Sequence, residues 1–160
     1  MKPRYISLFS GLGSADVGMD AAGMECVAQV EIDPACNAVL AHWWPAVPRW
    51  TDIIKVRGAD LPEAEVVVWG SPCQNLSVAG RREGLAGSES GLFFEGIRVI
   101  REMREASGGR FPRISVWENV NGALSGTLGR DFGAVLDRLA ERGALDIGWR
   151  VLDCQHWAPQ

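Results

Sequence analysis

The sequence predicts an α/β protein whose helices cover both faces of a doubly wound, mostly parallel sheet. Short apolar runs typical of strands alternate along the chain with segments whose length and periodicity are typical of helices. Glycines and prolines fall between these segments rather than in one tract. The 160 residues, 47% of them hydrophobic and 22% charged, suffice for one domain with a sizeable core.

The first half of the chain contains two strand–helix pairs and the start of a third. Asp33 suits the N-cap of the second helix, and Pro34 suits its first turn. In chain order, the predicted elements are a strand at Tyr5–Phe9, a helix at Ser14–Ala22, a strand in "ECVAQVEI", a helix at Pro34–Trp44 and a short strand before Thr51.

The second half continues the alternation. Its predicted elements are a strand in "EVVVWG", a helix in "SGLFFEGIRVIREMREA", a strand in "RISVWEN", a helix at Asp131–Arg142 and a strand-like end, "IGWRVLDCQHWAPQ". In the long helix, four apolar residues are predicted to share one face: Leu92, Ile97, Ile100 and Met103. Four charged residues are predicted to be more exposed: Arg98, Arg101, Glu102 and Arg104.

Composition argues against several classes of protein. No apolar run approaches the ~18 residues of a membrane helix, and the start lacks the apolar core of a signal peptide. The four cysteines form no Cys-x-x-Cys pair and no cluster with histidine, so neither zinc nor a disulfide framework is expected. A reducing cytoplasm fits these features. The net charge of −4 is unusual for a protein that binds nucleic acid alone, so basic surface would be local or supplied elsewhere.

Three segments with unusual chemistry directly follow predicted strands: Phe9–Gly13, Gly70–Cys73 and Glu118–Val120. The carboxyl ends of parallel strands lie at one edge of a sheet, and ligands bind in the crevice outside that edge. We therefore expect these segments to converge on one site.

The first of these segments has the character of a nucleotide-binding loop. Gly11 and Gly13 permit close backbone approach at a helix start. The pattern is G-x-G-x-x-D, without the third glycine of the dinucleotide fingerprint, so a plain tight turn is an alternative. Glu31 ends the second strand 18 positions after Gly13, where an acid can accept from both ribose hydroxyls of an adenosine. Ile32 would then face the adenine and Asp52 its amino group; alternatively, each acid is a solvated loop charge.

Cys73 follows a proline, which fixes the backbone before the thiol. Arg81 and Arg82 lie a few residues on, and cations favour the nucleophilic thiolate. His42 and His156 are poorly placed to act as its base, which argues against a papain-like protease. A redox role is also disfavoured, since no second cysteine lies near Cys73 in the sequence.

Glu118 is the second reactive candidate. A carboxylate at the end of a buried strand is costly to ionise unless it is paired. A carboxyl group that hydrogen-bonds the Watson–Crick edge of a heterocycle is what base-modifying chemistry needs. The alternative is that Glu118 and Asn119 cap the following turn.

Several motifs occur in the order found in the DNA cytosine-5 methyltransferases, and the sequence resembles this family over essentially all of its length. "LFSGLGSADVGMDAAG" is similar to the first motif, which binds S-adenosylmethionine, and "EID" is similar to the second. "GSPCQNLSVAG" and the later "GLFFEGIRVI" resemble the Pro-Cys-Gln loop and the segment after it. "WENV" resembles the Glu-Asn-Val motif, and "RVLDCQHWAPQ" resembles the approach to a Gln-x-Arg-x-Arg motif.

The resemblance implies a Rossmann-like, S-adenosylmethionine-dependent methyltransferase fold and methylation at C5 of a cytosine flipped out of double-stranded DNA. It implies that Cys73 attacks C6 of the base, that Glu118 binds its N3 and amino group, and that residues 74–91 form a mobile loop over the DNA. The residues implied to bind S-adenosylmethionine are Phe9, Gly11, Gly13, Glu31, Ile32, Asp52, Pro72 and Leu92. Those implied to contact the DNA or the target base are Ser71, Gln74, Ser77, Arg81, Arg82, Asn119 and Gln160.

The family pattern breaks off at Gln160, which resembles the first residue of Gln-x-Arg-x-Arg. We therefore expect residues 1–160 to be a single, incomplete catalytic domain of a bacterial or phage protein, without the last strands and the target-recognition region. One hypothesis is a catalytic segment that works with a second polypeptide or a longer chain. The other is a module that binds S-adenosylmethionine without independent catalysis. Either predicts an open sheet edge, and hence self-association or dependence on a partner.

Overall fold

The structure, a computed structural model, describes residues 1–71, 91–119 and 146–153, together with Leu136 and Ala140. The chain divides into two compact units, Met1–Asn119 and Val120–Gln160. The first unit contains the sheet and is described first.

The first unit alternates strands and helices as the sequence predicts. Its elements are β1 (Arg4–Leu8), α1 (Ser14–Ala21), β2 (Glu25–Val30), α2 (Pro34–Trp43), β3 (Arg49–Trp50), a 3₁₀ turn (Gly58–Asp60), β4 (Val66–Trp69), α3 (Leu92–Ala106) and β5 (Ile114–Trp117). The predicted cap of α2 is confirmed, because Asp33 Oδ1 accepts a hydrogen bond from the Cys36 N–H at 2.8 Å and Pro34 opens the helix.

The five described strands form one parallel sheet in the order β3-β2-β1-β4-β5. The chain runs outward from β1 through β2 to β3, and then returns to pair β4 with the other side of β1. The strand order therefore reverses between β1 and β4. Such a switch point opens a crevice at the carboxyl ends of the strands, where α/β proteins bind their ligands.

Helices cover the sheet on both faces, which confirms the predicted α/β class. On one face, the buried side chains of Tyr5, Val66 and Val68 pack against Met19 of α1. On the other face, the ring of Trp69 lies 5.3 Å from that of Phe93, in α3, between ring centroids. Successive residues of β4 thus point to opposite sides, as a strand requires.

The prediction for the faces of α3 is partly wrong. Ile97 and Met103 are buried as expected, but Leu92 and Ile100 are only half-buried. The remaining buried residues of α3 are Phe93, Gly96 and Val99. Arg98 and Glu102, predicted to be exposed, each have a side chain that is only 25% exposed.

In the second unit, Leu136 and Ala140 are helical, and both fall within the predicted helix at 131–142. Residues 146–153 have neither helix nor strand assigned, so the strand predicted for the end of the chain is wrong over that described part. Residues 154–160 of that prediction lie outside the described residues. Within the part of the chain that the structure describes, no helix is both long and apolar enough to cross a membrane.

Candidate active site

Hydrogen bonds that extend the sheet beyond its strands fix the start of the loops at the carboxyl edge. The Ser10 N–H donates to the Val30 carbonyl at 3.1 Å, and the Glu31 N–H donates to the Trp50 carbonyl at 2.9 Å. Likewise, the Glu118 N–H donates to the Trp69 carbonyl at 2.9 Å. The described parts of the three predicted segments therefore lie at the carboxyl edge of one sheet.

The loop after β1 contains three residues with positive φ: Phe9 at 56°, Gly11 at 55° and Gly13 at 87°. Gly13 caps α1, and a Cβ atom there would lie 2.6 Å from the ring of Trp44, so this position requires glycine. Phe9, unlike glycine, carries a Cβ atom that disfavours a positive φ. A bulky residue in the left-handed region is strained, and such strain is concentrated at binding and catalytic sites.

Glu31 joins the loops that follow β1 and β2. Its carboxylate is buried, with Oε2 accepting from the Gly11 N–H at 2.7 Å and Oε1 accepting from the Asp33 N–H at 2.8 Å. A carboxylate can accept about four hydrogen bonds, so each oxygen retains a lone pair for another donor. The neighbouring Ile32 is 72% exposed. An acceptor pair beside an exposed apolar side chain fits the ribose and adenine of a nucleoside.

Asp52 lies after β3 at the start of a tight turn. Its Oδ1 accepts from the Ile54 N–H at 3.0 Å, and its Oδ2 lies 3.3 Å from Lys55 Nζ. Both contacts are local, and the carboxylate stays partly accessible, with 23% of the side chain exposed. It can therefore accept a further hydrogen bond.

The ends of β4 and β5 bring Glu118 next to the segment that leads to Cys73. A Cβ atom on Gly70 would lie 3.3 Å from Glu118 Oε2, which places this carboxylate over the glycine backbone. The buried Ser71 hydroxyl accepts a hydrogen bond from Trp117 Nε1 at 3.3 Å. The expectation that Glu118 sits at a buried strand end is wrong, because it is exposed, as are the first three residues of β5.

Several predicted site residues lie outside the described residues: Pro72, Cys73, Gln74, Ser77, Arg81, Arg82 and Gln160. Leu92 begins α3 and is half-buried, as is Asn119. No cluster of three or more His, Cys, Asp or Glu side chains suited to a metal ion occurs in the described ranges.

Sequence reasoning missed a buried polar cluster beneath the glycine loop. Asp16 is fully buried and accepts from the Ser7 hydroxyl at 3.0 Å and from Gln29 Nε2 at 3.0 Å. The Tyr5 hydroxyl and the Cys26 thiol lie 3.4 Å and 3.5 Å from its Oδ1. The sequence did contain a signal for this cluster. Asp16 stands where the dinucleotide fingerprint has its third glycine, on the helix face that has to pack on the sheet.

Comparison with known families identifies the chain. The family described as C-5 cytosine-specific DNA methylase matches residues 3–159. The chain belongs to this family. The methylase family uses S-adenosylmethionine.

Three curated proteins that are similar to this chain come from two bacteria and a phage. The Type II methyltransferase M.AquIA of Picosynechococcus is 31% identical over 150 residues, covering 88% of this chain and 58% of that protein. M.BsuFI of Bacillus subtilis is 29% identical, covering 98% of this chain and 36% of that protein. The DNA N-6-adenine-methyltransferase of Escherichia phage P1 is 35% identical, but only 19% of that protein is matched. The chain thus spans between a fifth and three-fifths of these relatives.

Solved structures share the fold of this chain. A putative DNA modification methyltransferase encoded within an Escherichia coli prophage matches with a TM-score of 0.65 and 20% identity, covering 88% of this chain and 38% of that one. A mutant of DNMT2 from Spodoptera frugiperda matches with a TM-score of 0.61 and 20% identity, covering 88% and 41%. Similarity at this level establishes the architecture alone.

Proposed function

We propose that this chain is the catalytic segment of a DNA cytosine-5 methyltransferase, with Cys73 as the nucleophile and Glu118 as the group that binds the target cytosine. The observation that carries the proposal is the placement of the Glu118 carboxylate over Gly70, three residues before Cys73. The same sheet edge carries Gly11 and Glu31 across the switch point between β1 and β4.

On the cofactor side, Glu31 would accept from the ribose hydroxyls, Ile32 and Phe9 would contact the adenine, and Asp52 would accept from its amino group. The N–H groups at the start of α1, after Gly13, would receive the carboxylate of the methionine part. Pro72 and Leu92 complete this surface. S-adenosylmethionine supplies the transferable methyl group when bound there.

On the base side, the Cys73 thiolate would form a bond to C6 of the cytosine, which makes C5 nucleophilic. Glu118 would assist by hydrogen bonding at N3 and the exocyclic amino group, where electron density accumulates. After C5 is methylated, loss of the C5 proton to a base lets the C6–sulfur bond break and returns the thiolate. Because C5 and C6 are stacked inside a duplex, the cytosine has to be flipped out.

Contacts with the DNA are assigned to the segment after Cys73 and to the ends of the strands. Arg81 and Arg82 would contact phosphates, and Gln74 and Ser77 would lie beside the flipped nucleotide. Ser71, Asn119 and Gln160 complete the set of residues proposed to contact the DNA or the base. With a net charge of −4, the chain needs further basic surface for tight binding to DNA.

A second candidate function is a module that binds S-adenosylmethionine without independent catalytic activity. The observation that favours it is the net charge of −4, which opposes tight binding to DNA by this chain alone. Both functions require the cofactor site, so binding of S-adenosylmethionine is the first experiment.

Calorimetry on the wild type and on Glu31→Ala tests the cofactor site. We expect the substitution to weaken binding about 100-fold, because two hydrogen bonds to a charged acceptor are lost. Glu25→Ala is the matched control, since this exposed glutamate begins β2, the strand that Glu31 directly follows. A folded wild type that does not bind S-adenosylmethionine contradicts both candidate functions.

Glu31 also accepts a hydrogen bond from the Gly11 N–H, so its substitution can change the shape of the loop as well as remove contacts with the ligand. A second ligand separates these two effects. An analogue of S-adenosylhomocysteine without the 2′ and 3′ hydroxyls should bind wild type and Glu31→Ala with similar, weak affinity. A large loss of affinity for this analogue in the variant would mean that Glu31 acts only by shaping the loop.

Covalent trapping separates the two candidate functions. In duplexes that carry 5-fluorocytosine, C5 has no proton to lose, so an active enzyme remains bonded to the base after methyl transfer. We expect a Cys73-dependent adduct with a pool of random duplexes and S-adenosylmethionine, and none with Cys73→Ser. A wild type that binds the cofactor but forms no adduct supports the non-catalytic module.

A further inference from the structure

Arg98 connects α3 to the turn that carries Asp52. Its Nη2 donates to the Ile53 carbonyl at 2.9 Å, and its Nη1 donates to the Val56 carbonyl at 2.9 Å. Only 25% of the Arg98 side chain is exposed, so these bonds are largely shielded from water. The guanidinium therefore holds both ends of the turn that follows Asp52.

Two carboxylates of α3 fix the orientation of Arg98. Its Nε donates to Glu95 Oε2 at 2.7 Å, and its Nη1 donates to Glu102 Oε1 at 2.9 Å. Glu102 Oε2 also accepts from the Gly58 N–H at 2.7 Å, just beyond the turn. A Cβ atom on Gly58 would overlap the Val99 carbonyl oxygen, so the chain lies directly against α3 here.

The turn itself is anchored on one side and open on the other. The side chains of Ile53 and Val56 are buried, whereas Ile54 is 64% exposed. Within the turn, the Asp52 carbonyl accepts from the Lys55 N–H at 3.0 Å. The position of Asp52 relative to α3 is thus set by two apolar side chains and by the hydrogen bonds of Arg98.

We propose that Arg98 is a positioning residue for the adenine end of the cofactor site. The inference rests on the proposed function, in which Asp52 accepts from the adenine amino group. A binding group has to be held within about 0.5 Å of its productive position, and Arg98 fixes the turn that holds Asp52. Because α3 begins at Leu92, Arg98 also sets the spacing between two segments assigned to the cofactor.

The arrangement requires arginine rather than any cation. A guanidinium presents five N–H donors in a rigid plane, which reach two carbonyls and two carboxylates at once. A lysine ammonium has three donors on a flexible stem and preserves only the charge. Arg98→Lys therefore retains the electrostatic contact with Glu95 and Glu102 but loosens the hold on the turn.

Hydrogen exchange of the chain without ligand tests this positioning directly. In Arg98→Lys, the amides of residues 54–56 should exchange at least about tenfold faster than in the wild type, while those of β1 stay unchanged. Arg101→Lys is the matched control, because this arginine of α3 pairs with Glu105 of the same helix, at 3.6 Å. Unchanged exchange in the turn, or equal acceleration throughout the chain, overturns the inference.

Ligand selectivity tests the consequence for the adenine. We expect the wild type to bind S-adenosylhomocysteine about tenfold more tightly than S-inosylhomocysteine, in which a carbonyl oxygen replaces the adenine amino group. Arg98→Lys should reduce this ratio to about two, and Arg101→Lys should leave it unchanged. A general loss of stability would weaken both ligands together and leave the ratio intact.

The outcomes separate the inference from the function on which it rests. A wild type that binds neither ligand contradicts the cofactor site, and one that binds both equally contradicts the role of Asp52; either result also removes the role of Arg98. A wild-type preference that persists in Arg98→Lys overturns the role of Arg98 alone.

Discussion

Asp16 shows how a single side chain can support the site without contacting a ligand. It lies on α1, three residues after Gly13, and its carboxylate bonds to Ser7 on β1 and Gln29 on β2. A buried carboxylate is tolerated only when several donors surround it. These bonds fix the start of α1 against the two strands whose ends carry the glycine loop and Glu31.

Asp16→Ala should lower the free energy of unfolding by about 2–4 kcal/mol, because it leaves the buried donors of Ser7 and Gln29 without an acceptor. Urea denaturation followed by circular dichroism measures the change. Asp60→Ala is the control, since the Asp60 side chain is exposed and pairs with the exposed Arg57. Equal stability of the Asp16 variant and the wild type would show that the cluster is not energetically important.

The same cluster predicts a loss of stability in alkali. Burial, and then the nearby Asp16 carboxylate, raise the pKa of the Cys26 thiol from 9.0 to about 12. The same two causes, in the same order, raise the pKa of the Tyr5 hydroxyl. The unfolded chain therefore loses these protons at lower pH than the native chain. The contribution of Cys26 is present below pH 9 and lost as the pH rises from about 9 to 12.

We accordingly expect the free energy of unfolding to fall above pH 9, by at most about 1.4 kcal/mol per pH unit for each group that titrates only in the unfolded state. Denaturation curves between pH 8 and 10.5 measure the slope. Cys26→Ala should make the curve shallower between pH 9 and 10. An unchanged slope in this variant would assign the effect to other groups.

At the scale of elements, the packing of α3 on the sheet depends on one glycine. A Cβ atom on Gly96 would lie 2.7 Å from the ring of Trp69. That ring has no room to retreat, because its centroid is 5.3 Å from that of Phe93 and 5.9 Å from that of Trp117. The absence of a side chain at Gly96 therefore sets how closely the helix approaches β4.

Gly96→Ala should destabilise the chain by about 1–3 kcal/mol through overpacking. Gly18→Ala, in α1, is the matched control, because a Cβ atom there would meet nothing within 4 Å. That variant should be unchanged or more stable by up to about 1 kcal/mol, since alanine is the better helix former. The two values come from urea denaturation, and a stabilised Gly96 variant would contradict the packing argument.

At the scale of the whole molecule, β5 is an edge strand among the described strands and carries exposed apolar side chains. Ile114 is 55% exposed and Val116 is 43% exposed. These two residues are two positions apart in the strand, so their side chains lie on the same face of the sheet. An exposed, apolar edge strand favours association with another chain.

We expect sedimentation velocity to show association that increases with protein concentration. Replacing Ile114 and Val116 together with lysine should reduce it, because charged side chains on an edge strand oppose pairing. Val17→Lys is the control, since Val17 is a comparably exposed apolar residue on α1, with 61% of its surface accessible. A stable, monodisperse monomer over the whole concentration range would refute the prediction.

The local pattern of the chain was sufficient to predict the α/β class, the described helices and strands to within a few residues, and the cap at Asp33. These features depend on periodicity and on the backbone preferences of glycine and proline, which neighbouring residues determine. The strand pattern also placed Glu31, Asp52 and Glu118 at one edge of the sheet, because parallel strands all end there.

Only the tertiary structure decided which charged residues are buried and what they hold. Arg98 and Arg101 lie in the same helix and each stands four residues before a glutamate, yet of the two only Arg98 bonds to the turn after Asp52. Tertiary packing also decided that Glu118 is exposed and that Asp16 is buried. The sequence by itself determined the elements and the edge where the site lies, because those follow from local preferences. Long-range packing decided the partners of each polar group, because they come from segments far apart in the chain.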